Sequence, residues 1–245
     1  MRSGRPWIIA HRGASGELPE NTIAAFWEAI NSKADIVEMD LQLTADNQVV
    51  VFHDKTVDRI FQESSGKKIS DFQLFELKKR EIGSWFDPKF EGLRIPILME
   101  VIESLPDQVS LILELKSNEI KLIESVFNTL DLMKKSLGLG YISVRDSETY
   151  HLCQELSSKH KIGLMQKRRT PEETIEEITR NDIEIIQIRW KNWTDIDWKK
   201  LHNIDVIVTA FSADKNEEFK FLMGKEVDGI LTNFPRRLYE FLKEY

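Results

Sequence analysis

The sequence predicts an α/β fold: a closed (β/α)8 barrel with a small insertion after its second strand. Three observations carry this. Nine short runs rich in Ile, Val and Leu recur along the chain, as strands covered on both faces require. Amphipathic helical stretches separate most of them, which argues for parallel βαβ units. One of the nine reads as a hairpin partner, and the eight that remain are the number a closed barrel needs. The 245-residue length suits such a barrel, which typically takes about 250 residues. An open doubly wound sheet is the alternative.

Trp7–Ala10 is the first run. Thr22–Ile30 follows as a helix, with Ile23, Phe26, Trp27 and Ile30 on one face. The second strand is Ile36–Leu41. Thr44-Ala45-Asp46-Asn47 is turn-like and joins it to Val49–Phe52, a hairpin partner. Residues 54–106 break the rhythm. They are polar, contain Ser64-Ser65-Gly66-Lys67-Lys68 and end in Arg94-Ile95-Pro96-Ile97-Leu98, so a small inserted lobe over the site is expected within a single domain of residues 1–245. Leu111–Leu115 resumes the strands. Glu119–Leu132 is a helix that repeats Ile120, Ile123, Val126, Phe127 and Leu130. Tyr141–Val144 and Ile162–Met165 are the next strands. Thr170 then caps a helix opened by Pro171-Glu172-Glu173. The remaining strands are Ile183–Ile188, Val206–Phe211 and Gly229–Leu231.

Composition removes several classes of function. A net charge of −7 disfavours a general nucleic-acid surface. The Lys167-Arg168-Arg169 cluster before Thr170-Pro171 reads as a solvated helix approach. Cys153 is the single cysteine, so an internal disulfide and a Cys/His zinc site are both absent, and its apolar neighbours suggest a buried, inert thiol. Only four apolar residues follow the Met1–Pro6 start, too few for a signal-peptide core. No apolar run approaches the ~20 residues of a membrane span. The expectation is a cytoplasmic protein with no stable membrane insertion.

Chemistry concentrates where strands end. Glu38 and Asp40 are two apart on one strand and therefore share a face. Glu114 and Lys116 repeat the spacing at the end of the next long strand. In a barrel both strand ends reach the C-terminal face, where active sites lie. Three converging carboxylates suit a hard divalent cation, Mg²⁺ or Ca²⁺. His11 and Arg12 follow the first strand, and His53 ends Val-Val-Val-Phe-His. Two imidazoles can divide general acid and base roles. Three carboxylates, a divalent ion, Arg12 and Lys116 sum to about one positive charge, which suits a phosphodiester anion. His151, His160 and His202 lie in helical or surface patterns. Gly13-Ala14-Ser15-Gly16 is no nucleophile elbow, because Glu17 follows, and no phosphate-loop or dinucleotide glycine motif occurs.

At these residues the chain resembles the glycerophosphodiester phosphodiesterase family. The likeness runs through His11-Arg12-Gly13, Pro19-Glu20-Asn21-Thr22 with Ala25-Phe26, Glu38-Met39-Asp40-Leu41-Gln42-Leu43-Thr44 and Val51-Phe52-His53-Asp54. It continues in Asp58-Arg59, Ile95-Pro96-Ile97-Leu98 with Glu100, Glu114-Leu115-Lys116 and Val227-Asp228-Gly229-Ile230-Leu231-Thr232-Asn233 with Pro235. The resemblance implies a TIM-type barrel with an inserted lobe. It implies hydrolysis of small-molecule glycerophosphodiesters to glycerol 3-phosphate and an alcohol. By position it implies His11 and His53 as the acid/base pair, Glu38, Asp40 and Glu114 as metal ligands, and Arg12 and Lys116 as phosphate contacts.

Two stretches depart from the family. Phe211-Ser212-Ala213-Asp214 stands where a Trp-Thr-Val-Asn run is usual, and Ser143-Val144 where Ser-Phe is. Both positions line the substrate side in the family, so Phe211 is a candidate substrate contact. Trp190, Trp193 and Trp198 could supply a replacement wall, with ordinary packing the simpler expectation. The rival functions are a related barrel phosphodiesterase acting on lysophospholipids or sphingomyelin, and a non-catalytic binder of phosphorylated metabolites.

Overall fold

Eight parallel strands close on themselves in the computed structural model of the chain, which describes residues 4–245. Met1-Arg2-Ser3, part of the stretch read above for a leader, lie outside the described residues. The strands are β1 (Trp7–Ala10), β2 (Ile36–Leu43), β3 (Val49–Val51), β4 (Ser110–Leu115), β5 (Ile142–Val144), β6 (Ile162–Met165), β7 (Ile185–Ile188), β8 (Ile207–Ala210) and β9 (Gly229–Thr232). Hydrogen bonding runs β1-β9-β8-β7-β6-β5-β4-β2, and a parallel β1–β2 pairing completes the circle. That pairing excludes the open doubly wound sheet. β3 pairs antiparallel with β2, so it is a hairpin partner and not a stave of the barrel.

Side-chain alternation divides each strand between two environments. Ile9, Ile36, Ile112, Tyr141, Ile185 and Leu231, one from each of six strands or their edges, meet inside the barrel. The residues two positions further on share that inward face: His11, Glu38, Glu114, Ser143, Gln187 and Asn233. The apolar plug thus lies directly beneath a polar layer at the C-terminal mouth. Tyr141 crosses the interior, its hydroxyl 2.9 Å from Thr209 Oγ1 and donating to Gln187 Oε1 at 3.2 Å. It has room because residue 163 is glycine; a Cβ there would sit 2.5 Å from its ring.

The other strand face packs under the helices. Thr22 caps the helix Ile23–Asn31 by accepting from Ala25 N. Its buried residues are Ala25, Phe26 and Ala29. Trp27, expected on the inner face, is 40% exposed, because the 100° step past Phe26 carries it off the buried stripe. The helix Ile120–Leu132 buries Leu122, Ile123, Val126, Phe127 and Leu130. Ile120, at its first turn, is 51% exposed, which corrects its expected place in the stripe. Each fully buried Phe, Leu or Val contributes about 1.5–3 kcal/mol. Thr170 and Glu173 form a reciprocal capping box at the helix Pro171–Asn181.

Between β3 and β4 the chain gathers a second apolar cluster, including Val57, Ile60, Ile69, Phe72, Leu77, Ile82 and Ile95, with Trp85 packed on it. The helix Leu98–Ser104 instead packs on the main core. Trp193 and Trp198 are buried core residues, while Trp190 is half-buried and donates to Ser212 O at 3.3 Å. Cys153 is fully buried, and burial pushes its thiol up to about 12. Among the described residues no helix is long and apolar enough to cross a membrane.

Candidate active site

The loop after β1 is bent by backbone conformation. Arg12 has φ +56° and Gly13 φ +81°. A Cβ on Gly13 would stand 2.7 Å from the Ala25 backbone, so this turn requires glycine. The turn aims the Arg12 backbone N–H at Glu38 Oε2, 2.8 Å away. Register then assembles the acids. Asp40 lies beside Glu114, and Glu114 beside Ser143. Glu38, Asp40 and Glu114 are buried, with ligand oxygens within 4.8 Å of one another.

Three cations answer them. Lys116 Nζ lies 2.6 Å from Asp40 Oδ1 and 2.7 Å from Glu114 Oε1. Arg12 Nε is 3.2 Å from Asp40 Oδ2. Arg145 Nη2 donates to Glu114 Oε1 at 2.6 Å. Asn21 Nδ2 donates to Asp40 Oδ2 at 2.7 Å, fixing that carboxylate from the loop after β1. Burial alone would raise Asp40, but Lys116 and Arg12 outweigh it and hold the carboxyl well below its usual range. Glu38 is pushed the other way, first by burial and then by the charges of Asp40 and Glu114. Three hard oxygen donors that repel one another fit a divalent cation. A second three-donor group, Glu20, His53 and Asp54, surrounds the Arg59 guanidinium, which pairs with both carboxylates.

Each histidine is held at Nδ1. His11 Nδ1 is 2.9 Å from Asn233 Oδ1. The Asn233 amide is itself oriented, because Nδ2 donates to Asp214 Oδ2 at 2.7 Å and its backbone N–H to Asp214 Oδ1 at 2.8 Å. Oδ1 can only accept, so His11 carries its proton on Nδ1 and leaves Nε2 as the free lone pair. Burial and the charge of Arg12 lower the His11 pKa and favour the neutral ring. His53 Nδ1 lies 2.7 Å from Asp54 Oδ1. Arg59 forks both Asp54 oxygens, and the carboxyl lies well below its usual range: burial opposes this, and bonds to His53 and Arg59 prevail.

All five expected acids and imidazoles therefore face one mouth of the barrel, as do Arg12 and Lys116. Phe211 is half-buried against the barrel's apolar plug. His151, His160 and His202 stand apart from the site. Arg169 of the basic cluster pairs with Glu177. A hollow of about 840 Å³ lies away from the site beside Trp7, Asp205 and Asp228, and Asp228 there accepts from Val208 N. Sequence reasoning missed Arg145, which sits two residues beyond inward-facing Ser143 in the same phase. It also assigned no role to Asn21, Arg59 or Asn233. Asp214 departs from the family's asparagine and supports His11, where a substrate wall was expected.

Comparison with known proteins shows the family and the fold. The sequence profile described as the Glycerophosphoryl diester phosphodiesterase family matches residues 11–237. A glycerophosphodiester phosphodiesterase of Caldanaerobacter subterraneus subsp. tengcongensis is 32% identical over 97% of this chain and 98% of its own. A Bacillus subtilis relative is 51% identical over 112 residues, 46% of this chain and 45% of that one. The fold matches an Oleispira antarctica phosphodiesterase, solved with the product sn-glycerol-3-phosphate, at TM-score 0.89 and 24% identity, covering 98% and 97% of the two chains. The chain belongs to the glycerophosphoryl diester phosphodiesterase family.

Proposed function

We propose that this enzyme hydrolyses small glycerophosphodiesters to glycerol 3-phosphate and an alcohol, with His11 and His53 as the proton-transfer pair. The observation that carries the reading is the shared anchoring of the two rings. Each commits Nδ1 to an oxygen, Asn233 Oδ1 or Asp54 Oδ1, which orients the ring and leaves Nε2 for proton transfer.

Glu38, Asp40 and Glu114 would hold the divalent cation, Mg²⁺ or Ca²⁺, which when bound polarises the phosphoryl oxygens. Arg12 and Lys116 bind the non-bridging oxygens, Arg12 through a planar fork and Lys116 as a point charge. One imidazole takes the proton of the attacking hydroxyl at Nε2. The other enters the step as the imidazolium, protonated on both nitrogens, and gives its Nε2 proton to the departing alkoxide, a poor leaving group without it. Arg145 adds a third positive group beside Glu114, so the site tolerates the second negative charge that the phosphate monoester product acquires. Phe211 bounds the organic side of the substrate.

The deciding experiment measures glycerol 3-phosphate release from a panel of glycerophosphodiesters, with Mg²⁺, Ca²⁺ or chelator. Turnover that needs a divalent ion and vanishes with chelator is expected. Full turnover after exhaustive chelation would remove the metal from the scheme. Head-group release only from lysophospholipids or sphingomyelin would replace the substrate class.

A further inference from the structure

We infer that Arg59 is the positioning residue for His53, and that through it the segment inserted between β3 and β4 sets the angle of a catalytic ring. The inference rests on the proposed role of His53 in proton transfer.

His53 stands just past β3, outside any regular element, and its anchor Asp54 is its immediate chain neighbour. A residue on the same loop cannot by itself fix that loop. Gln42 on β2 holds the loop's backbone, its Nε2 donating to Phe52 O at 2.8 Å and Asp54 O at 2.9 Å, and Arg59 holds the Asp54 carboxylate. Arg59 Nε donates to Asp54 Oδ2 at 2.7 Å and its Nη2 to Asp54 Oδ1 at 3.1 Å, so the carboxylate is pinned in the plane of the fork. Oδ1 is then left aimed at His53 Nδ1. Because an ionised carboxylate only accepts, Nδ1 carries a proton and Nε2 is left as the nitrogen that exchanges protons.

Arg59 is in turn held from two sides. Nη2 also donates to Glu20 Oε1 at 2.7 Å, on the loop after β1. Its guanidinium lies 4.6 Å from the centroid of the Trp85 indole, and that indole is tied by Nε1–H to Ile82 O at 2.9 Å. Glu20 Oε1 accepts from Arg12 Nη1 as well, at 3.1 Å. One guanidinium thus joins the phosphate-binding loop, the His53 loop and the inserted segment. A lysine could neutralise Asp54 and Glu20 but could not fork the carboxylate while reaching Glu20.

The test compares Arg59→Ala, Arg59→Lys and Trp85→Leu with the parent in the metal-loaded enzyme. Turnover, thermal unfolding and the ¹⁵N signature of the His53 ring are read for each. In Arg59→Ala, kcat should fall about 10- to 100-fold with KM within about threefold, the scale typical of a lost outer support. Added methylguanidinium should restore part of kcat. The parent's Nδ1–H signature at His53 should give way to a tautomer mixture. Arg59→Lys should resemble the alanine variant, and Trp85→Leu should shift both readouts less, in the same direction. An unchanged His53 signature in Arg59→Ala and Arg59→Lys overturns the positioning role. A changed signature with parental kcat supports that role and instead overturns the assignment of His53 to proton transfer.

Discussion

Glu38→Gln separates what the carboxylate layer does for binding from what it does to the fold. Glu38 is buried, and its ligand oxygen lies within 4.8 Å of those of Asp40 and Glu114. Two unit charges at that distance repel by about 3.5 kcal/mol at an effective dielectric near 20. Two such neighbours exceed what Arg12 and Lys116 return, since burial and the two acids together raise the carboxyl's pKa. Without metal, ionised Glu38 therefore destabilises the folded state. A raised folded pKa means its favourable contribution is complete below the unfolded pKa and is lost as pH climbs through the folded one. At neutral pH, Glu38→Gln should stabilise the chelated protein by about 1–3 kcal/mol. For a domain of this size that raises Tm by about 2–10 °C. The gain should shrink as pH falls below the folded pKa and be gone by about pH 4, where the unfolded glutamate also holds its proton. With divalent metal the gap narrows. At a hundredfold excess over Kd the parent gains about 2.7 kcal/mol, whereas the glutamine variant gains far less and loses turnover. Calorimetry in chelator and in Mg²⁺ or Ca²⁺, beside glycerol 3-phosphate release, reads both arms. A variant less stable than the parent in chelator refutes the strain, and equal metal shifts in both proteins refute Glu38 as a ligand.

His11→Ala and His53→Ala should each lower kcat by about 10²–10⁴ with the fold intact; two variants that turn over like the parent would dismiss the pair. NMR titration of His11 should give a midpoint below 6.5, because burial and Arg12 disfavour its charged form, and a midpoint above that value contradicts the packing around the ring. Asp214→Ala leaves the Asn233 amide free to flip, so kcat should drop about 10- to 100-fold while the His11 ¹⁵N signature loses its single tautomer. Gly13→Ala combines a left-handed φ, worth about 1–2 kcal/mol, with a 2.7 Å approach to the Ala25 backbone; a lowered melting temperature is the expected reading, and parental stability would show that the turn can relax.

The strands were legible because burial on both faces leaves a local trace, unbroken Ile/Val/Leu runs such as Ile36–Val37 and Leu111–Leu113. The acids were legible because spacing by two has one meaning on a strand. Register then placed Asp40 beside Glu114, as adjacent strand ends required. Helix faces were read less well. Trp27 and Ile120 fit an apolar stripe by spacing, yet an edge of that stripe and a first turn both face water. The supporting residues left no local trace at all. His11 and Asn233 are 222 positions apart, and Arg59 and Glu20 are 39 apart. An asparagine after a strand or an arginine in a short helix has no periodicity to betray its partner.

Those distant supports tie the proposed proton-transfer pair to closure of the barrel. β1 is flanked by β9 and β2, the last and second strands in the chain. The β9 side brings Asn233 to His11 Nδ1, and Thr232 O accepts the His11 backbone N–H at 3.0 Å. On the other side β2 brings Glu38 to the Arg12 backbone N–H. The His11 ring and the carboxylate layer are therefore positioned by opposite neighbours of one strand. An opened barrel would keep every reactive residue of the N-terminal segment, yet His11 would lose the partner that fixes its tautomer. The chemistry encoded in the first sixth of the sequence becomes a site only when the final strand docks beside it.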